Sequence, residues 1–97
     1  MPSTKEFKDF VIDQLRALDD IACKQMMGEY LLYYHGVLFG GIYDDRFLIK
    51  KTNSNSKYLL EEAIPYEKAR PMYIIDNIED VDYLTMLIRN TYMDLKK

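Results

Sequence analysis

Few side chains in this sequence could do chemistry, and their spacing decides what each is for. His35 is the one histidine in 97 residues, which makes it the first candidate for a general base or a ligand. It stands before Gly36 between two apolar runs, the composition of a two-residue hairpin turn, so an exposed turn residue is expected. Asp44 and Asp45 could be read as a carboxylate pair for acid–base work or metal binding. Adjacent residues in a turn point apart and no further ligand lies near in sequence, so turn chemistry accounts for them better. Cys23, the one cysteine, would be reactive if a helix end or Lys24 lowered its pKa; the plainer expectation is a small buried or half-buried residue. Catalysis needs a nucleophile or base held by a second group. One histidine and one cysteine outside any motif do not supply that arrangement. An enzyme is the least favoured reading, and no catalytic residue, cofactor or metal ligand is assigned.

The remaining candidates are recognition residues. Arg46, Lys50, Lys51 and Lys57 could gather into a basic patch for an anionic partner, in competition with a solvated charged rim. Tyr33 and Tyr34 are candidate aromatic anchors, since tyrosine offers apolar area with a polar end and is enriched at interfaces. The expected partner-binding residues are therefore Arg46, Lys50, Lys51, Tyr33 and Tyr34. Met26, Met27, Met72, Met86 and Met93 are assigned to core or packing, although methionine also suits adaptable surfaces.

The elements that must position these residues follow from periodicity. Segment 24–51 reads as three strands, 30–34, 37–43 and 47–49, joined by the pairs His35-Gly36 and Asp44-Asp45. Gly40-Gly41 within a strand calls for a bulge, a bend or a close backbone approach, the first two being favoured. Ser3 with Glu6 forms a capping-box pattern, and Phe7, Phe10, Val11, Leu15 and Leu18 recur at helical spacing through about Leu18. Thr52 to Ser56 is a polar turn cluster, and Tyr58, Leu59, Leu60 and Ala63 predict a short second helix. Residues 64–71 are irregular around Pro65 and Pro71, and 72–75 reads as a fourth strand. Asp76 with Glu79 repeats the cap logic before a last helix carrying Ile78, Val81, Leu84, Leu87, Ile88, Tyr92 and Leu95 on one face, with Lys96-Lys97 at its end. The order is α-β-β-β-α-β-α, an α+β fold in two layers with helices packed on an antiparallel sheet.

A chain of 97 residues, 48% hydrophobic, matches one core and one domain over 1–97. The net charge of −3 argues against direct nucleic-acid binding, which needs a concentrated basic surface. The start MPSTKEF has no apolar signal region, a single cysteine permits no intrachain disulfide, and no apolar run approaches the roughly 20 residues of a membrane span. A cytoplasmic protein without a membrane role is expected. An exposed tyrosine-rich face or an open edge strand would favour a homodimer, and helices on both faces a monomer.

Met26-Met27-Gly28-x-Tyr30, then Tyr33, Gly36-Val37-Leu38-Phe39 and Asp44-Asp45-Arg46-Phe47-Leu48-Ile49-Lys50, resemble the N-terminal domain of the TfoX/Sxy competence regulators. Lys24-Gln25 stands where that family usually has two basic residues, and Tyr66 with the segment from Pro71 onward fits its second half. Met27 replaces the usual phenylalanine, read as a tolerable core exchange. The family's long form carries a second, C-terminal domain, so the chain looks like the stand-alone short form. The resemblance implies a non-enzymatic protein-interaction module in transcription and competence, working through a protein partner such as a transcription regulator. In the long form that role is co-activation with a cyclic-AMP receptor protein. The alternative is a small-molecule or anion-binding domain, with a dimer as one form of it and a pocket between sheet and helices lined by Tyr30, Tyr43 or Tyr73.

Overall fold

A computed structural model describes residues 3–96. Helix α1 spans Lys5–Gln14, strands β1 to β4 span Ile21–Met26, Glu29–Tyr34, Val37–Tyr43 and Arg46–Ile49, β5 and β6 span Glu62–Ala63 and Met72–Ile74, and α2 spans Val81–Leu95. The six strands form one sheet in the order β1-β2-β3-β4-β6-β5, every neighbouring pair antiparallel. This is the expected α+β architecture with both helices on the sheet.

The first four strands are a meander because three two-residue turns join them. Met27 and Gly28, His35 and Gly36, and Asp44 and Asp45 all have positive φ, the signature of type I′ turns, whose twist matches that of the flanking strands. Strand β2 alternates strictly between partly and fully buried residues, so Tyr30, Leu32 and Tyr34 share one face and Glu29, Leu31 and Tyr33 the other. The first set joins Val11 and Leu15 of α1 and Leu84, Leu87 and Ile88 of α2 in a single core with Phe39, Ile42, Phe47 and Ile49. Both helices therefore cover the same face.

A bulge on β3 makes Phe39 the extra residue: Leu32 pairs with Gly40, but Tyr33 pairs with Leu38. The bulge expected at the glycine pair is present, and close backbone approach accompanies it. A Cβ on Gly40 would collide with the Leu48 carbonyl, and one on Gly41 would come within 2.5 Å of the Tyr30 carbonyl oxygen.

Several element assignments change. A strand not expected from sequence, β1, opens the meander ahead of the three expected ones. The second helix predicted around Tyr58 to Ala63 is a single 3-10 turn, Ser56–Tyr58, followed by β5, because Leu59 takes φ +56° and ends the turn. Helix α1 stops at Gln14, and single-turn hydrogen bonds carry the chain on to Leu18. Its cap is Thr4, whose Oγ1 accepts from the Phe7 amide at 3.2 Å. Likewise Asp80, four residues after the expected cap, accepts from the Tyr83 amide at 3.1 Å. Lys97, expected at the end of α2, lies outside the described residues.

The polar cluster 52–56 has a packing role. Asn55 is fully buried; its Nδ2 donates to the Lys50 carbonyl and to Thr91 Oγ1 at 2.8 and 2.9 Å, while its Oδ1 accepts from the Thr52 amide. Ser54 donates to the Asn90 carbonyl and to Asp94. These bonds fix the segment leaving β4 against the last turns of α2.

Candidate functional site

With both helices on one side, the other face of the sheet is left to solvent and to segment 64–71. A groove of about 1270 Å³ runs between them. Its floor is Leu31, Leu38, Gly40, Tyr43 and Met72, one wall is Pro65, Tyr66, Ala69 and Pro71, and its ends carry Met26, Met27, Glu29, Lys50, Lys51 and Arg70. Segment 64–71 is tethered by Arg46, whose guanidinium donates to the Tyr43 carbonyl at 3.2 Å and to the Ile64 carbonyl at 3.0 Å. The expected contact residue Arg46 thus positions the groove's wall.

The methionine assignment is overturned. Met26, Met27, Met86 and Met93 are 50%, 96%, 55% and 55% exposed, because the strand face and helix side they occupy have no second layer over them. Met27 is not a core exchange for phenylalanine; it projects from a type I′ turn at φ +53°, where asparagine, aspartate or glycine is the usual occupant. Met26, Met27 and Met72 all line the groove, and with Tyr66, also largely exposed, they give it an adaptable apolar lip.

Charge at the groove is unevenly compensated. Lys51 Nζ lies 2.8 Å from Glu62 Oε2 and 5.4 Å from the centre of the Tyr73 ring; the Glu62 hydrogen bond pushes its pKa up. Glu29 is occupied too, its Oε1 accepting from Ser3 N and Oγ at 3.1 and 2.7 Å and both oxygens lying within 3.3 Å of the Asp44 amide. Lys50 and Arg70 have no ion pair among the described residues. The Tyr43 phenol is pushed up by burial first and then by neighbouring Tyr66 and Glu29, so it stays neutral, a donor at the groove floor.

The other candidates separate. Tyr33 pairs with Leu38 on the groove face, whereas Tyr34 is 6% exposed and lies on the helix face, its ring centre 4.9 Å from that of Tyr92. Lys57 sits over Tyr58 on the 3-10 turn and does not line the groove, so the four basic residues form no single patch. Tyr30 and Tyr73 belong to the helix side, where Phe39, Phe47, Leu15 and Leu32 fill the space between layers. Of the three tyrosines suggested for a pocket there, Tyr43 lines the groove on the opposite face, and Tyr30 and Tyr73 do not line it.

His35 is an exposed turn residue, as expected, with Asp19 and Asp20 each 3.4 Å from one of its ring nitrogens. Asp45 is a turn residue whose Oδ1 accepts from the Thr4 amide at 2.7 Å. Cys23 is exposed on β1, which corrects the expectation of a buried or half-buried residue; desolvation by the atoms beside its thiol still raises the pKa, with Lys8 offsetting part of the rise. Among the described residues no group of three or more His, Cys, Asp or Glu could hold a metal ion, and no helix is long and apolar enough to cross a membrane.

Sequence reasoning missed the groove because its wall is irregular and its floor alternates with core residues along the same strands. The pair Met27-Gly28, with an apolar residue where a two-residue turn ordinarily carries a polar one, was the signal that could have found its lip. The family model of the TfoX N-terminal domain matches residues 13–93. The chain is also 28% identical over 94 residues to a Spirochaeta aurantia protein described as "Uncharacterized 12.7 kDa protein in trpE 5'region", a match covering 94% of this chain and 82% of that one.

Proposed function

Since the chain belongs to the TfoX N-terminal domain family, we propose that it is a protein-interaction module in gene regulation, which captures its partner on the helix-free face of the sheet. The observation that carries this reading is the groove on that face, edged by Met26, Met27 and Tyr66. Large exposed apolar side chains clustered around a concavity are a feature of interaction sites, since isolated exposed residues are ordinary but contiguous patches are not. Lys50, Lys51 and Tyr33 stand on or beside this face and supply the polar part of the contact.

The test is affinity capture of the tagged chain from its own cell lysate, with the bound proteins identified by mass spectrometry. A Lys50→Glu/Lys51→Glu variant and a Met27→Asp variant serve as controls. Recovery of a transcription regulator or a polymerase subunit, lost from both variants while their thermal unfolding stays near that of the parent, is the expected result. Recovery of the chain alone, or of the same proteins by all three forms, would remove the groove face as the capture surface.

A further inference from the structure

The charge ledger of the groove constrains what can lie in it. An occupant that covers the groove removes water from Lys50, already half-buried, and from Arg70. Burying a cation without a counter-charge is strongly unfavourable. Neither is paired with a carboxylate of the lining: Glu29 directs its oxygens to Ser3 and the Asp44 amide. Lys51 has its partner in Glu62. Lys50 and Arg70 are thus the cations that an occupant can pair with, over a floor of Leu31, Leu38 and Met72 that offers an apolar body a place to bury.

Resting on the reading of this face as the capture surface, we infer that the occupant is a short apolar segment of the partner carrying two carboxylates, which Lys50 and Arg70 hold. A nucleic acid fits poorly: two free cations neutralise little phosphate, and the methionine, leucine and proline lining gives phosphates nothing to bond. An uncharged apolar segment would leave both cations buried and unpaired. Acidic residues flanking apolar ones match the site in both respects, and charges arranged in this way select the partner and its register.

A random peptide library displayed on phage and selected against the full chain tests this directly. The expected outcome is enrichment of sequences that combine apolar residues with Asp or Glu. One such peptide, synthesised and labelled, should bind Lys50→Glu/Arg70→Glu and Lys50→Gln/Arg70→Gln at least about tenfold more weakly. Replacing its acidic residues by lysine should restore binding to the charge-reversed form. Unfolding midpoints of both variants, compared with the parent, separate lost contact from lost fold, and the restored binding shows a folded groove by itself. Binders that Met27→Asp abolishes but that ignore both charge variants would overturn the acidic occupant and leave the docking face standing. Binders indifferent to all three variants would overturn both. Failure to enrich any peptide overturns the inference, and dodecanoate binding that depends on Lys50 and Arg70 would then assign the groove to a small amphiphile.

Discussion

Tyr83 is a side chain whose ionisation the fold perturbs strongly. Its hydroxyl donates to Asp76 Oδ1 at 2.7 Å; burial first, and then this bond and the Asp76 charge, push the phenol far above its ordinary value. The folded state then holds a proton that the unfolded chain releases near pH 10. The stability this contributes is fully present below that pH and is lost as pH rises toward the folded value. Urea midpoints measured across the alkaline range are expected to fall, and to fall less steeply in Tyr83→Phe; equal slopes would show that the Asp76 pair does not carry the effect. At this scale the sequence was legible where chemistry is local. His35 and Asp45 are turn residues because the dipeptides around them favour positive φ, a property that neighbours in sequence suffice to show. The methionines were not legible, because whether Met26 or Met72 is buried depends on which face of the sheet the helices choose. Nothing in their own spacing encodes that choice.

Among the elements, the turn between β1 and β2 breaks a local rule. A methionine at φ +53° costs about 1 kcal/mol relative to a residue that tolerates the left-handed region, and at 96% exposure it gains no burial within the chain to offset this. Met27→Asn is expected to raise stability by about 0.5–1 kcal/mol and to weaken partner capture, a trade that marks a residue kept for contact. Chemical denaturation and the capture assay measure the two sides, and a loss of stability would refute the strain argument. The strand before this turn, β1, was hidden from sequence reading. Ile21–Met26 is exposed along almost its whole length, so Ala22, Cys23, Lys24 and Gln25 show none of the alternation that betrays a half-buried strand. By contrast β2, β3 and β4 were legible from their apolar runs and intervening turn pairs. The false helix at 58–63 came from a run of apolar residues too short for periodicity to separate helix from strand, with Leu59 in a conformation its residue type disfavours.

For the molecule as a whole, the one-sided placement of α1 and α2 generates both the core and the groove. The fold class was legible because amphipathic helices and an antiparallel sheet can combine in few ways. The choice of face, which decides the site, was not, since each helix has an apolar stripe that would suit either side. The order of the sheet has a further effect, on the speed with which the chain finds this arrangement. From Ile21 to Ile49 every strand lies beside its neighbour in sequence, so closing this region takes only two-residue loops and little chain entropy. Pairing β4 with β6 and seating α2 require contacts between residues much further apart. The meander is therefore expected to form in the rate-limiting step and α2 to dock after it, giving Leu32→Ala a slower refolding rate and Leu87→Ala chiefly a faster unfolding rate. Stopped-flow kinetics of the two variants would reverse this order if α2 nucleated the chain. Until that helix docks, Phe47 and Ile49 on the nascent sheet remain open to other chains, so refolding yield should fall with protein concentration while the finished fold tolerates it.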